Sequence, residues 1–530
     1  MFVQPAFSQS SDNGILRSDF QLDAQTYRQD SLIGAPNVRE KMLGQGFLNV
    51  LYSRGNFSAG VRYEGYFNPI QGIDLRYTGN GLPYRFARFN NDMLDVTLGN
   101  FYEQFGSGMI LRTYEERSLG FDNSVDGIRV KVNAADGVTF TGLIGRQRSF
   151  FALGPGIVRG GDVNVNLNQL TVFGEDWLGQ DAGTIELGAS VISKFQTAND
   201  PLYNLPENVL AYSLRASRQS GGFRTDIEYA YKYNDPGFTN NRSFNPGTGL
   251  FVSAAYSGKG YGLTLNFKRI DNMDFRSDRT ASLNNLNLNF LPPLTKVHTY
   301  RVLTLYPYAT QNNGEIGFQG EFVYTIPKNS FLGGDYGTTI TVNYANIHAL
   351  DTTRIDEFTY TSQFFGRGKM LFQDLNIEIA KTWSKKLKTT FTFVNQSYDK
   401  DVIEGKLGYG LIHPWYVIGE ASYQLTPKSA IRMELQHLFV RRDFGNWAFA
   451  LLEYTFNSHW YLTVFDEFNY GNYNPEQRIH YYSGGVTYVD SGTRLSLSYG
   501  RTRAGILCVG GVCRVVPASN GLTLAITSTL

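Results

Sequence analysis

Neither sign of charge is abundant in this chain, and neither is in excess. Among 530 residues, 48 Lys and Arg face 47 Asp and Glu, a net charge of +1, and charged residues are only 18% of the total. No field of one sign therefore favours a nucleic acid as partner, and no basic run interleaved with aromatics suggests one. Long apolar runs are missing as well. The lack of any stretch of about 18 apolar residues excludes a transmembrane helix. It does not exclude a transmembrane β-strand, which is apolar only at every second position. No amphipathic helical periodicity is sustained over about twelve residues. No repeat of about 20–50 residues carries a signature motif, which weakens a propeller or solenoid. Catalytic signatures are absent too: there is no GxSxG, no HExxH and no phosphate-cradling glycine loop. The histidines, His298, His348, His413, His437, His459 and His480, are scattered. Ser458 and His459 are adjacent in "FNSHWY" and fall in a short turn, a poor geometry for a Ser–His pair. The chain is expected not to be an enzyme, and no motif asks for a cofactor.

Cysteine is nearly absent. Cys508 and Cys513 stand alone in "CVGGVC", where Gly510–Gly511 can turn the chain between them. A small disulfide loop is the expectation in an oxidising compartment. Free thiols are the first alternative. A metal site is the weakest, since two ligands with no nearby His hold a metal poorly.

What is present in quantity is aromatic residues and glycine: 34 Tyr, 38 Phe and 56 Gly, against 5 Trp. That combination points to strands and tight turns. Alternation confirms the period. In "FRTDIEYAYKY", Phe223, Thr225, Ile227, Tyr229, Tyr231 and Tyr233 share one face, and Arg224, Asp226, Glu228, Ala230 and Lys232 share the other, because successive side chains of a strand point oppositely. "NFSAGVRYEGYF" sets Phe57, Val61 and Tyr63 against Arg62 and Glu64. "GIRVKVN" sets Ile128, Val130 and Val132 against Arg129 and Lys131. "AIRMELQH" sets Ile431, Met433 and Leu435 against Arg432, Glu434 and Gln436.

The connections alternate short and long. "VDSGT", "FNSH", "TPKS", "SKKLK", "SGKG" and "RQSGG" are short, with long links such as 234–249, 349–369 and 399–413 between them. Short turns on one rim and long loops on the other are the pattern of an outer-membrane barrel. "PKNSFLGGDYG" (327–337) has to count as a long turn on the short side. Strands placed this way number about 24, with 22–26 as the bracket, and 84–89 and 163–173 are the weak segments. A strand of about eleven residues tilted by about 45° rises roughly 25 Å, the height of the apolar band. The expected fold is all-β, a single large transmembrane antiparallel β-barrel over residues 9–530, with the apolar faces toward lipid. Arg62, Glu64, Arg129, Lys131, Asp226, Glu228 and Lys232 would then line the lumen, which at this strand number is too wide for wall side chains alone to fill.

Two segments break the hairpin rhythm. Residues 271–314 include "LPPLTKVHTYRVLTLYPY", whose Pro292, Pro293 and Pro307 cannot donate ladder hydrogen bonds. This segment either folds inward to narrow the lumen, with Lys296, His298 and Arg301 as polar contacts, or forms a rigid outer cap or an extra strand pair. Residues 99–125 carry Gly106 and Gly108 beside Glu103, Arg112, Glu115, Glu116 and Arg117. Such a group would form a constriction inside a pore, or simply a set of solvated loop charges.

The stretches "GNFYEQFGSGMILR", "FDNSVDGIRV", "LPPLTKVHTYRV" and "CVGGVCRVVPASNGLTLAITSTL" resemble a family of Bacteroidota-type outer-membrane proteins of unknown function, over nearly the whole chain. The resemblance implies an outer-membrane β-barrel and brings no catalytic residues. Many barrels end in an aromatic residue; this one ends in Leu530, although the alternating set Leu522, Leu524 and Ile526 is intact. The start, "MFVQPAFS", reads as the remnant of a secretory signal over residues 1–8. No stretch before the first strand is long enough for a separate plug domain. The expected setting is the outer membrane of a Gram-negative bacterium, with bilayer lipid, lipopolysaccharide and other outer-membrane proteins as partners. The expected role is a porin-like or transport channel for small polar solutes. The alternative is a structural or accessory barrel of a larger outer-membrane or secretion complex, with a blocked lumen.

Overall fold

The structure, a computed structural model, describes residues 14–170, 183–198, 200–509 and 512–530. Among these residues 24 wall strands form one antiparallel sheet, from Ile15–Thr26 to Ser519–Thr529. Each pairs with the next in the chain, and the last returns to the first, with Asp19 to Gln25 opposite Thr529 to Thr523. The sheet is therefore a closed barrel. A further segment, Leu411–Ile412, only extends the ladder of Leu387–Asp399. The one α-helix among the described residues is the single turn Lys400–Ile403. No helix is long and apolar enough to cross a membrane.

The alternation in the sequence sets the two faces of this wall. In the strand Phe223–Lys232, Phe223, Ile227 and Tyr229 are exposed, whereas Glu228, Ala230 and Lys232 are buried. The same inversion holds around the ring: Leu214, Leu265 and Leu435 are each half or more exposed on the outer surface. Exposed apolar side chains over a whole surface are foreign to a water-soluble monomer. Aromatic residues gather near one rim, where Phe57, Phe223, Tyr256, Tyr261, Tyr324, Trp383 and Trp460 stand exposed.

That rim carries the short turns. Residues 55–56, 221–222, 259–260, 427–428 and 491–492 each join two strands. Positive φ at Gly55, Gly221, Gly260 and Gly492 lets the chain reverse in so few residues. The opposite rim carries the longer links, including 102–124, 233–246 and 272–313.

Two boundaries differ from expectation. The expected strand 163–173 is in fact Ala152–Asn166, joined to Val138–Ser149 by residues 150–151 alone. Residues 171–173 lie outside the described residues, as do 1–13, with the expected signal remnant, and the Gly510–Gly511 turn. The strand was hidden because "ALGPGIVRGG" reads as a loop. Its Pro155 falls where the ladder breaks between Leu153 and Ile157, a position a strand tolerates. The second difference is residues 349–369, expected as a long loop. They extend the hairpin Thr338–Arg354 and Tyr360–Thr382, leaving only 355–359 as the turn. The extension lies over the outer wall. Arg269, on the outward face with Leu265, donates from Nε to the Phe364 carbonyl at 2.9 Å and from Nη2 to Ser362 Oγ at 2.7 Å.

Candidate functional site: an occupied lumen

A ring of this size encloses more space than its inward side chains can fill, and two apolar stretches of loop occupy it. Phe105, Met109, Ile110 and Leu111 of the first pack with Met273, Phe275, Leu288 and Leu291 of the second. Inward-facing Val209, Ala211, Ala230 and Ile270 complete that core. Further along the second segment, Leu294, Val302, Leu303, Tyr306 and Tyr308 pack against inward-facing Phe372, Val394, Tyr416 and Leu438. The wall partners all point inward, so residues 102–124 and 272–313 lie within the barrel. The segments also pair with each other. Arg112 N donates to the Leu288 carbonyl at 2.8 Å, and Phe290 N to the Gly108 carbonyl at 3.0 Å. No strand forms over "RVLTLYPY"; Arg301–Leu305 is a 3-10 turn.

Polar wall groups hold the second segment by its backbone. Lys232 Nζ donates to the Asp274 carbonyl at 2.7 Å, and Lys268 Nζ to the Pro292 carbonyl. Gln436 Oε1 accepts from Val302 N at 2.9 Å. Buried backbone groups in an irregular segment need such partners. Within the segment, burial alone would raise the Asp274 carboxyl. Arg276, 3.1 Å away, and Thr239 outweigh it and hold the group below the ordinary aspartate range.

The residues expected on the lumen wall and at a constriction separate into distinct groups. Arg62 and Glu64 are buried in an ion-pair knot, 2.7 Å apart, with Arg62 also on Glu115 at 2.8 Å and on Asp122. Arg148 completes the knot on Glu64 at 2.5 Å and Asp122 at 2.7 Å, and Arg117 holds Glu115 at 2.7 Å. Three guanidinium groups thus match three carboxylates. The oxygens of Glu64, Glu115 and Asp122 come within 4.8 Å of one another, but arginines already fill them, so this is an anchor for the first segment and a poor cradle for a metal. Arg129 bridges Asp95, at 3.0 Å, and Glu103. Lys131 stands half-buried on the same strand. Arg112 lies 4.0 Å from the Phe290 ring centre and 5.0 Å from that of Tyr114. Asp226 pairs with Arg224 at 2.9 Å, and Glu228 accepts from Ser107 N at 2.7 Å.

Lys296, His298 and Arg301 do come together, along a cavity of about 680 Å³ between residues 295–308 and the wall. Each has a wall carboxylate: Lys296 has Glu378 at 3.6 Å, His298 has Asp374 at 2.8 Å, and Arg301 has Glu467 at 2.9 Å. Opposite them Arg432 meets Glu420 at 2.9 Å, Glu453 at 2.7 Å and Glu434. Arg503 shares Glu467 at 2.9 Å. Neither the Arg432 cluster nor Arg503–Glu467 was anticipated. The alternation of "AIRMELQH" puts Arg432 and Glu434 on the inward face, but their partners come from other strands, which the alternation of one strand does not reveal.

The mouth of this cavity is bordered by the hairpin Gly505–Val509 and Val512–Val516, which Cys508 and Cys513 close as a disulfide. The hairpin touches both infolded segments. Arg514 Nε donates to the Ser118 carbonyl at 2.8 Å, and Asn284 Nδ2 donates to the Cys513 carbonyl at 2.9 Å.

Solved structures of similar fold include the P pilus usher PapC translocation pore, at 10% identity and a TM-score of 0.44, covering 97% of this chain and 99% of that one. A mutant ferric enterobactin receptor, PfeA, from Pseudomonas aeruginosa is 9% identical with a TM-score of 0.43, covering 97% and 80%. OpdQ from Pseudomonas aeruginosa is 9% identical with a TM-score of 0.35, covering 98% and 97%. None of the curated proteins matches the chain in sequence. Its whole length, residues 1–530, matches the model of the family of unknown function DUF6029, and the chain belongs to that family.

Proposed function

We propose that this protein is an outer-membrane transport barrel that passes small polar solutes through a lumen narrowed by its own infolded segments. The observation that carries this reading is the 680 Å³ cavity beside residues 295–308. Charges of both signs line it, and among the described residues all the cations but Arg514 are paired with wall carboxylates, which suits a polar solute better than an apolar one. The exposed apolar belt and the aromatic residues at the short-turn rim support seating in a bilayer. On this reading the short turns face the periplasm of a Gram-negative cell, of the Bacteroidota type that the sequence resemblance implies, and the long loops face lipopolysaccharide. On this reading the histidines take no enzymatic part, and His298 and His480 are partners of Asp374 and Asp466.

Conductance of the purified protein in planar bilayers tests the proposal. Asp271 and Gly314 are register partners, so a short glycine–serine turn can replace residues 272–313 without opening the wall. A stable current that rises on this deletion is the expected result. A second reading is favoured by the two apolar cores that join the infolded segments to the wall: an accessory barrel with a closed lumen, serving a protein partner. No current from the folded barrel, before or after deletion, together with a co-purifying outer-membrane protein, would decide for that role.

A further inference from the structure

Beneath the tip of the first infolded segment lies a second cavity, of about 450 Å³, lined by Ser107, Glu186, Arg215, Arg224, Asp226 and Glu228 among others. Its cations are already matched. Arg215 donates to Asp162 at 2.7 Å and to Asn164 Oδ1 at 2.6 Å, and Arg224 holds Asp226 through two contacts of 2.9 Å. Glu186 and Glu228 are left without a cation among the described ion pairs. Glu228 is only 4% exposed. Its Oε2 accepts from Ser107 N, while its Oε1 has no hydrogen-bond partner among the described residues, and neither has Ser107 Oγ. The two free acceptors belong to groups that already touch. Gly106 makes the approach possible: a Cβ there would sit 2.6 Å and 2.7 Å from the two Glu228 oxygens.

A buried carboxylate with an unused oxygen is unfavourable unless a donor reaches it. The guest that suits this site brings positive charge and several N–H donors. An ammonium group has three donors and no acceptor, matching Glu228 Oε1 and Ser107 Oγ, two atoms that are covered in the structure and are reached by a small shift of the tip at Gly106. A calcium ion would want six or more oxygens, and the guanidinium groups of Arg215 and Arg224 stand in the way of such a shell. An anion would face two unmatched carboxylates. Along the strand Asn208–Ser220, Arg215 is the register partner of Glu228 and Ser217 that of Glu186. The two carboxylates thus lie two strands apart, about 10 Å laterally, on either side of the cavity.

We propose that this cavity binds the ammonium groups of a small cationic solute, one at Glu228 and Ser107 and, in a diammonium solute, the other toward Glu186. The inference names a solute class for the proposed passage and rests on that reading only for its biological use; the site itself is testable without conduction. The experiment is calorimetric titration of 1,4-diaminobutane into the full-length protein in detergent micelles, with sodium chloride matched throughout. Saturable binding is expected. It should weaken at least tenfold in Glu228→Gln and severalfold in Ser107→Ala, and stay unchanged in Glu321→Gln, a wall carboxylate outside the cavity. Heat-modifiable migration of each variant on a gel controls for folding, and the exposed Glu186→Gln gives a second variant if Glu228→Gln does not fold. No saturable binding, or binding by the Glu228 and Glu186 variants as tight as the parent's, overturns the site. Binding without current would leave the site standing and remove the passage; current without binding would do the reverse.

Discussion

Gly156 is a residue whose identity is dictated from across the lumen. A Cβ at this position would fall 2.0 Å from the Ser277 carbonyl oxygen, and Gly154 would meet Leu286 at 3.0 Å. At Gly156 the wall and the second infolded segment come backbone to backbone, and at Gly154 the Leu286 side chain takes the space, a usual meaning of glycine inside a strand. Because the obstacle at Gly156 is main chain, a side-chain rotation cannot relieve it. Gly156→Ala is expected to displace residues around Ser277, at a cost of about 1–3 kcal/mol, while the ladder with Val138–Ser149 closes as before. Limited proteolysis of the folded variant checks this: new cleavage within 272–313, with unchanged heat-modifiable migration, is the expected result. Protection equal to the parent would contradict the close approach. The facing of individual residues was legible in the sequence, since parity along a strand is local. Arg62, Glu64, Glu228 and Lys232 all point inward, as alternation places them. Their partners were not legible, because Asp122, Arg148, Ser107 and Asp274 arrive from segments 42 to 121 residues away.

At the scale of elements, strands announce themselves when one face meets an apolar surrounding and the other does not. Hence Phe223–Lys232 and Ser429–Phe439 were legible nearly to the residue. Ala152–Asn166 was not, because contact with the infolded segment replaced its inward side chains by glycine. The extended hairpin around 349–369 was missed for a related reason. Beyond the barrel rim neither of its faces is uniformly apolar, so Asp351, Arg354, Gly366 and Gly368 read as loop. The disulfide hairpin at 505–516 is an element whose place only the structure gives, since it borders the cavity and bonds to both infolded segments. Closing so small a ring is worth roughly 2 kcal/mol in the chain-entropy account. With Cys508→Ser and Cys513→Ser together, the barrel should migrate as before. The hairpin should loosen its hold on Ser118 and Asn284, and the current in planar bilayers should become larger or noisier than the parent's. Identical traces from the oxidised parent and the double variant would show that the hairpin does not restrain the infolded segments.

For the whole molecule the governing fact is closure. A strand edge exposed to lipid leaves its N–H and C=O groups without partners, at several kcal/mol for each unsatisfied group, so only a closed ring is viable there. Closure at 24 strands in turn leaves a lumen that side chains cannot fill, and the apolar content of 102–124 and 272–313 answers that need from within the same chain. The seam that closes the ring is short: seven register pairs, Asp19 with Thr529 through Gln25 with Thr523, join the first strand to the last. The last strand, Ser519–Thr529, is also paired along ten residues with Thr493–Thr502. A chain ending at Ala518 therefore loses both ladders at once and exposes two edges. In a water-soluble sheet two such edges would be tolerated, because water would satisfy them. In a bilayer they would not, and the truncated chain is expected to show no compact, heat-modifiable band after refolding into detergent or lipid, although every other strand is intact. A truncated protein that still migrated as a compact barrel would show that the remaining strands can close among themselves, and would overturn the assignment of this seam as indispensable.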